Sequence, residues 1–309
     1  MKVAICICTY RRPKGLARLL QGLSRLCFRK VSAPAVELVI VDNTAEGMMR
    51  DFCEKAQRDY RWPIRYEIEP CRGISYARNR AIQSVREGTD FVAFIDDDEV
   101  PEPSWLDELL YVQGVYHADV VTGPAYGRFE QAVPSWIISG KFFNKIQGFS
   151  PGEILSVAHT YNVLVKFRIF REEKILFDEK FALTGGEDTF FFKSLSLRGY
   201  KIVWAERAIV FEWIPESRAN LKWILKRSYR HGIQSVRVDL ALRKSIVKAL
   251  LYAMGIIRWI LWGLLLLPLS LVGGRVLLVS GLKYIMHGIG RTAGFLGVIY
   301  YEYHATHGE

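Results

Sequence analysis

Apolar residues gather in short runs along the first hundred positions, and polar residues fall where each run stops. Val3 to Cys8 is a continuous apolar run with the length of a buried strand. Pro13 follows where a first helical residue would sit, and Leu16, Leu19, Leu20, Leu23 and Leu26 recur at helical spacing. Residues 37–42 read as a second buried strand, ending in the carboxylate of Asp42. Ala45 to Tyr60 has a helical pattern, and Ile64 to Ile68 alternates as a strand does. Ile74, Ala77, Ala81, Ile82 and Val85 form another helical stripe. Phe91 to Ile95 is a third apolar strand and runs straight into Asp96-Asp97-Asp98. Ser104, with Asp107 three residues on, predicts a helix start resembling a capping box.

Strands alternating with helices predict an α/β fold with a mostly parallel sheet and helices on both faces. Ligands of such sheets bind at the carboxyl ends of the strands. Thr9, Tyr10 and Arg11 follow the first strand, Asp42 the second, and the Asp triplet a later one. No Gly-x-Gly-x-x-Gly or Walker loop occurs, so a nucleotide site here lacks the usual glycine fingerprint.

Beyond Asp119 the pattern is more mixed. Val120-Val121 and Ile202-Val203-Trp204 read as short strands, and 125–151, rich in aromatics, Gly and Pro, as loops. Glu187 to Leu197 reads as a helix closed by Gly199. Ala249 to Val272 is almost wholly apolar, interrupted by Arg258 and Pro268, and is near the ~20 residues that span a bilayer. Gly273-Gly274 breaks it. Val276 to Tyr301 is apolar again, but Lys283, His287 and Arg291 recur every fourth residue on one helical face. This second segment either lies at a membrane interface or packs its polar stripe against protein. Gly281, Gly288, Gly290, Gly294 and Gly297 would let helices approach closely.

Charge sharpens this division. Residues 217–309 hold 13 Lys and Arg against 3 Asp and Glu, which accounts for the whole formal charge of +10. The first 216 residues are balanced. A basic region beside apolar helices points to an anionic membrane surface. Nucleic acid is not an expected partner, because the basic residues intermix with apolar runs and build no stacking platform. Cys6, Cys8, Cys27, Cys53 and Cys71 are odd in number and include no Cys-x-x-Cys, which indicates neither a disulfide framework nor a zinc site. No secretory signal pattern precedes the first strand.

Four groups of residues could carry chemistry. Three adjacent carboxylates, Asp96, Asp97 and Asp98, repel one another and need a compensating cation. Hard oxygen ligands suit Mg²⁺ or Mn²⁺, which also bridge phosphate oxygens. Alternation along an extended segment puts Asp96 and Asp98 on one side. A solvated acidic turn is the plain alternative. In Thr184-Gly-Gly-Glu-Asp188 a carboxylate, Glu187 or Asp188, could act as a general base, or simply favour a helix N-terminus. Arg72 and Arg78 suit phosphate oxygens, or are ordinary surface arginines. Arg227, Arg230 and His231 could face a leaving diphosphate or an acceptor, or form a solvated basic helix.

In order along the chain, Val3 to Arg11, Leu38 to Asp42, Gly73 to Asn79, Phe94 to Asp98 and Gly185 to Asp188 resemble the inverting glycosyltransferases of family 2. The Cys-Thr-Tyr-Arg-Arg-Pro start and the Gly-Gly-Glu-Asp motif look most like enzymes of bacterial exopolysaccharide synthesis, such as the succinoglycan glucosyltransferases. The resemblance covers roughly residues 1 to 235. It implies the GT-A fold, with a nucleotide-sugar-binding half over 1–118, an acceptor-binding half over 119–240, and a membrane-associated helical hairpin over 241–309. By residue it implies that Thr9 and Arg11 line the nucleobase pocket, Asp42 contacts the base, and Arg72 and Arg78 lie near the nucleotide. Asp96 would contact the donor with Asp97 beside it, Asp98 would ligate Mn²⁺ or Mg²⁺, and Asp188 would be the catalytic base beside Glu187. The family often has Asn at the position of Arg11. The Gln-x-x-Arg-Trp motif of processive synthases is missing, which argues for addition of a single sugar.

The implied activity is transfer of a hexose from a nucleotide-diphosphate sugar, a UDP-sugar, to a hydroxyl of a lipid-linked saccharide at the cytoplasmic face of the bacterial inner membrane. A polyprenyl-phosphate glycosyltransferase and a non-catalytic basic membrane-binding protein are the competing readings. A chain ending near Lys244 is expected to be soluble and still folded.

Overall fold

Five successive residues of the first strand, Val3 to Ile7, are at most 1 % exposed, so this strand must lie at the centre of a sheet covered on both faces. The computed structural model describes residues 1–145, 148–242 and 246–302. In chain order the elements are β1 (Lys2–Thr9), α1 (Pro13–Ser24), β2 (Ala35–Asp42), α2 (Arg50–Asp59), β3 (Ile64–Ile68), α3 (Ile74–Ser84), β4 (Phe91–Ile95), β5 (Glu99–Pro101) and α4 (Trp105–Tyr116). There follow β6 (Val120–Thr122), β7 (Ala125–Phe129), α5 (Ser135–Ser139), β8 (Ile154–Leu155), β9 (Asn162–Lys166), α6 (Arg168–Arg171), α7 (Glu187–Leu197), β10 (Ile202–Trp204), β11 (Val210–Ile214), α8 (Leu221–Leu242) and α9 (Ile246–Phe295).

The main sheet has the order β3-β2-β1-β4-β9-β6-β10-β8. Pairs among β1 to β4 are parallel, as is β6 with β10, while β9 and β8 run antiparallel to their neighbours. Side chains alternate across the sheet. Val3, Ile5 and Ile7 pack with Leu16, Leu19 and Leu109 on one face, and Ala4 and Cys6 with Ala77, Ala81 and Phe192 on the other. A small second sheet, β5-β11-β7, stands behind the Asp triplet. Buried Asn162 ties the two regions: it accepts from the Trp105 indole at 2.8 Å and donates to the carbonyls of Pro124 and Ala208.

Three sequence expectations need correction. Helix α2 starts at Arg50 and not at Ala45, because Asp42 accepts bonds from the backbone of Thr44 and Met49 and pins the intervening turn. Asp107 does not cap its helix. It accepts the backbone N–H groups of Arg29, Lys30 and Val31 and fixes that loop. Within 125–151, read as loops, lie β7 and α5.

Helix α9 breaks at Gly274, whose φ of 70° and ψ of −161° are non-helical. The two arms fold back on each other. Gly263 meets Gly281 and Ile285, Ile260 meets Gly288, and the Trp259 ring lies 5.2 Å from that of Tyr284. The second arm also packs on α8: Gly290 fits against the Tyr229 carbonyl, Gly232 against that of His287, and Gly294 against Ile233. Val279 is buried with Ile137, Phe143, Ile214 and Ile224. Gly297 plays a different part from its neighbours. Its φ is +85°, and it ends the helix, with Val298 N–H donating to the Ala293 carbonyl. The polar stripe packs on protein: Lys283 lies over Phe142, and Arg291 donates to Ser235 at 3.1 Å. The first arm instead presents Ile257, Leu261, Trp262, Leu264, Leu265 and Leu269 outward. By length and composition 255–295 is apolar enough to cross a membrane.

Lys244 and 303–309 lie outside the described residues. The packing of α9 on α8 changes the expectation for a chain cut near Lys244, since the cut would bare the α8 face that Gly232, Ile233 and Tyr229 present to α9. Gly290→Leu should force α8 and α9 apart and cost about 2–3 kcal/mol, as overpacking does. A lowered thermal midpoint in detergent, with new protease cleavage between the helices, is the expected result. An unchanged midpoint would contradict the close contact.

Candidate active site

The turn after β4 sits against the turn after β1 because Asp97 reaches across to it. The buried Asp97 carboxylate accepts from Thr9 Oγ1 at 2.9 Å and from the Arg12 guanidinium at 2.8 Å. Burial raises the Asp97 pKa to about 6 against the opposing pull of Arg12. The triplet lies in a turn after β4, so the alternation expected of an extended segment does not hold, and Asp98 shares Arg12 with Asp97. Asp98 pairs with Arg12 at 3.2 Å and Arg218 at 3.3 Å, and Asp96 with Arg78 at 3.5 Å.

Arg78 is the link to the second acidic motif. It is 5 % exposed, on α3, and its guanidinium also grips Glu187 at the start of α7. Asn79, one residue on, exchanges two 2.9 Å bonds with the backbone of Phe177. These contacts hold the 177–186 segment against α3. Gly186, the residue before α7, has a φ of +92°, which favours glycine and turns Glu187 and Asp188 apart. Glu187 faces inward to Arg78, and burial raises its pKa to about 7 despite that cation. Asp188 accepts from His159 Nδ1 at 2.8 Å. Burial would raise the Asp188 pKa, but His159 and Arg78 outweigh it and hold the carboxyl well below its ordinary range.

Two adjoining cavities share Asp96, Arg78, Lys145, Arg227, Arg230 and Glu302. The first is lined by Thr9, Tyr10, Asn43, Arg72 and the Asp triplet. The second runs from His159, Tyr161 and Asp188 to His231, Lys283 and His287. Glu99 and Glu212, paired across the small sheet, both bind Lys145 Nζ, at 3.0 and 2.9 Å.

The residues singled out in the sequence separate on this frame. Thr9, Arg72, Arg78, Asp96, Asp97 and Asp98 come together at the first cavity, and Glu187, Asp188, Arg227, Arg230 and His231 at the second. Arg11 and Asp42 do not line either. Arg11 is exposed, its guanidinium 5.3 Å from the Tyr10 ring centre. Asp42 is fully buried and accepts from Thr44 N and Oγ1, Met49 N and the Tyr66 hydroxyl, so its carboxylate is spent on its own loop. Its neighbour Asn43 faces the cavity instead. Sequence reasoning missed Arg12, Asn43, Lys145, His159, Glu212, Arg218 and Glu302. Only Arg12, inside the first motif, carried a local signal. Asn43 adjoins Asp42, and the others arrive from distant segments. Asn162, next to Tyr161 of the second cavity, belongs to the core network.

The donor set fits a divalent cation. Asp96, Asp98 and Glu99 each offer a carboxylate oxygen, all within 4.8 Å of one another, and Glu99 Oε2 is buried with no hydrogen-bond partner among the described residues. The fold and site together define a glycosyltransferase of the GT-A type. Residues 4–173 match the model of glycosyl transferase family 2. Over 236 residues, 75 % of this chain and 73 % of the relative, the sequence is 33 % identical to the succinoglycan biosynthesis protein ExoM of Rhizobium meliloti (strain 1021). A glucosyl-dolichyl phosphate glucuronosyltransferase of Haloferax volcanii is 25 % identical over 274 residues, 78 % of each chain. The solved structure of S. aureus TarS 1-349 with UDP-GlcNAc is similar at TM-score 0.55 and 17 % identity, covering 96 % of this chain and 92 % of that one. The mannosyltransferase PcManGT of Pyrobaculum calidifontis, solved with GDP-Man and Mn²⁺, is similar at TM-score 0.62 and 14 % identity, covering 96 % and 87 %. The chain belongs to glycosyl transferase family 2.

Arg78→Met should destabilise the protein by about 3–5 kcal/mol, because it leaves the Glu187 carboxylate buried without its cation. Carboxylates with raised pKa stabilise the fold least once they ionise. The deficit should therefore widen from pH 5 to pH 8. Thermal unfolding across that range checks it, and a deficit that narrows with pH would refute the assignment.

Proposed function

We propose that the protein transfers a hexose from a UDP-sugar to a hydroxyl of a lipid-linked saccharide, with inversion, in the building of bacterial cell-surface polysaccharide. One observation carries this reading. The cavity that holds Asp188 shares Asp96 with the donor side and is walled at its far end by Lys283 and His287 of the apolar hairpin. A saccharide on a lipid carrier must meet both chemistries at once. The name of the Haloferax relative, which joins glucuronosyl transfer to a glucosyl-dolichyl phosphate, agrees with such an acceptor.

In this reading Tyr10, Asn43 and Arg72 hold the nucleoside end of the donor, and Asp96 the sugar. Asp98, with Asp96 and Glu99, holds Mn²⁺ or Mg²⁺. When bound, the ion neutralises charge on the leaving diphosphate. Asp188 removes the proton of the acceptor hydroxyl as its oxygen attacks the anomeric carbon, and the bond from that carbon to the diphosphate oxygen breaks on the opposite face. His159 fixes the rotamer of Asp188 and keeps it ionised. Arg227 and Arg230 stand by the departing charge.

We place the hairpin in the cytoplasmic leaflet of the inner membrane. Its second arm is covered by α8 and the catalytic domain, so the first arm supplies the lipid-facing row. From Arg258 to Gly274 that arm rises about 24 Å at 1.5 Å per residue, short of the ~30 Å hydrocarbon core. The Lys and Arg excess before Ala249 supports the cytoplasmic side.

Asp98→Ala and chelation should each abolish transfer from a UDP-sugar to a lipid-linked saccharide. Asp188→Asn should cost about 10²–10⁴ in kcat. A polyprenyl phosphate acceptor is already ionised and needs no base. Near wild-type turnover of Asp188→Asn on such a phosphate would replace the present reading with that one.

A further inference from the structure

We propose that Lys283 and Arg227, with His287 beside them, form a binding site for the phosphate groups that join the acceptor saccharide to its lipid. The inference rests on the lipid-linked-acceptor reading above and assigns the part of that acceptor which nothing else in the cavity explains.

The charge balance of the second cavity leads to it. Its carboxylates already have partners: Glu187 and Asp96 share Arg78, Asp188 has His159, and Glu302 has Arg230 at 2.7 Å. Lys145 is taken by Glu99 and Glu212. Among the described residues no carboxylate lies within ion-pairing distance of Arg227 or Lys283. Both are half-buried on aromatic rings that also line the cavity, Arg227 at 5.1 Å from the Trp223 ring centre and Lys283 at 4.8 Å from that of Phe142. Those rings strip water from the cations without neutralising them. An anion is the missing partner.

Position identifies which anion. Arg227 lines both cavities, but Lys283 and His287 line only the second, away from Tyr10 and Arg72. The donor diphosphate therefore does not account for them. Both belong to the arm that packs against the lipid-facing row, with the Trp259 ring 4.7 Å from that of His287. A lipid-linked saccharide has its phosphate between tail and sugar. With the tail beside the first arm, the phosphate falls at Lys283 and the sugar hydroxyls point toward Asp188 and His159.

Lys283→Met should raise KM for a lipid-diphosphate-linked saccharide about tenfold or more, as loss of a charge-assisted bond does, with a smaller change in kcat. The donor KM should stay within twofold. Lys283→Arg should recover most of the acceptor affinity, which a merely structural role would not allow. With the same saccharide carrying no phosphate, wild type and Lys283→Met should have equal KM. Calorimetry with a short-chain prenyl diphosphate and the Asp188→Asn protein separates the site from the reaction. Binding there that Lys283→Met abolishes supports the site even if transfer to saccharides fails. Equal loss of affinity for phosphate-free saccharide would overturn the proposal. So would parallel loss of binding to phosphatidylglycerol vesicles, which would make Lys283 a contact for bulk headgroups, and so would competition by inorganic pyrophosphate as strong as that of the prenyl diphosphate.

Discussion

Carboxylates crowd one cleft and the small sheet behind it, and the fold is arranged to make that crowding bearable. Asp96, Asp97, Asp98, Glu99, Glu187, Asp188 and Glu212 repel one another in a place where burial weakens solvent screening. Arg12, Arg78, Lys145 and Arg218 stand between them. Arg78 matters most, because it is buried and touches both Asp96 and Glu187. It joins the motif that ends β4 to the motif that begins α7, and so fixes the first cavity relative to the second. Asp96, Asp98 and Glu99 surround the position where a divalent ion fits.

The same constraint reaches outward to the helical hairpin. Lys145 ties β5 to β11 within the small sheet through Glu99 and Glu212, and Arg230 links α8 to Glu302 beyond the end of α9. Helix α8 is at once a wall of the catalytic cleft and the docking face of the hairpin. A glycine seam makes that contact close enough for the second arm to bring Lys283 and His287 into the second cavity. The apolar hairpin and the wall of the cleft thus share one set of contacts.

The first four strands were largely legible in the sequence, because β1, β2 and β4 are continuous apolar runs whose polar ends mark the cleft. Asp96, Asp98 and Asp188 announced themselves through local motifs. The surroundings of Asp42 were not legible, since a carboxylate ending a buried strand looks the same whether it faces a ligand or its own loop. Four backbone and side-chain donors decided it, and none is visible in a linear reading. His159, Lys145, Glu212 and Arg218 were hidden for a related reason. Each is a lone charged residue in an unremarkable segment, brought in by tertiary contacts across long sequence separations. The break at Gly273-Gly274 was readable, but the burial of the second arm was not, because periodicity cannot distinguish a lipid-facing polar stripe from one that meets protein.

The central claim is a single displacement, with Asp188 and the donor diphosphate on opposite sides of the reacting carbon. The anomeric configuration of the product tests it most directly, read by proton NMR after transfer from a donor of known anomeric form. An α-linked UDP-sugar should give a β-linked product throughout the time course. An α-linked product formed from the start would require two displacements or attack from the nucleotide's own face, and would contradict the account.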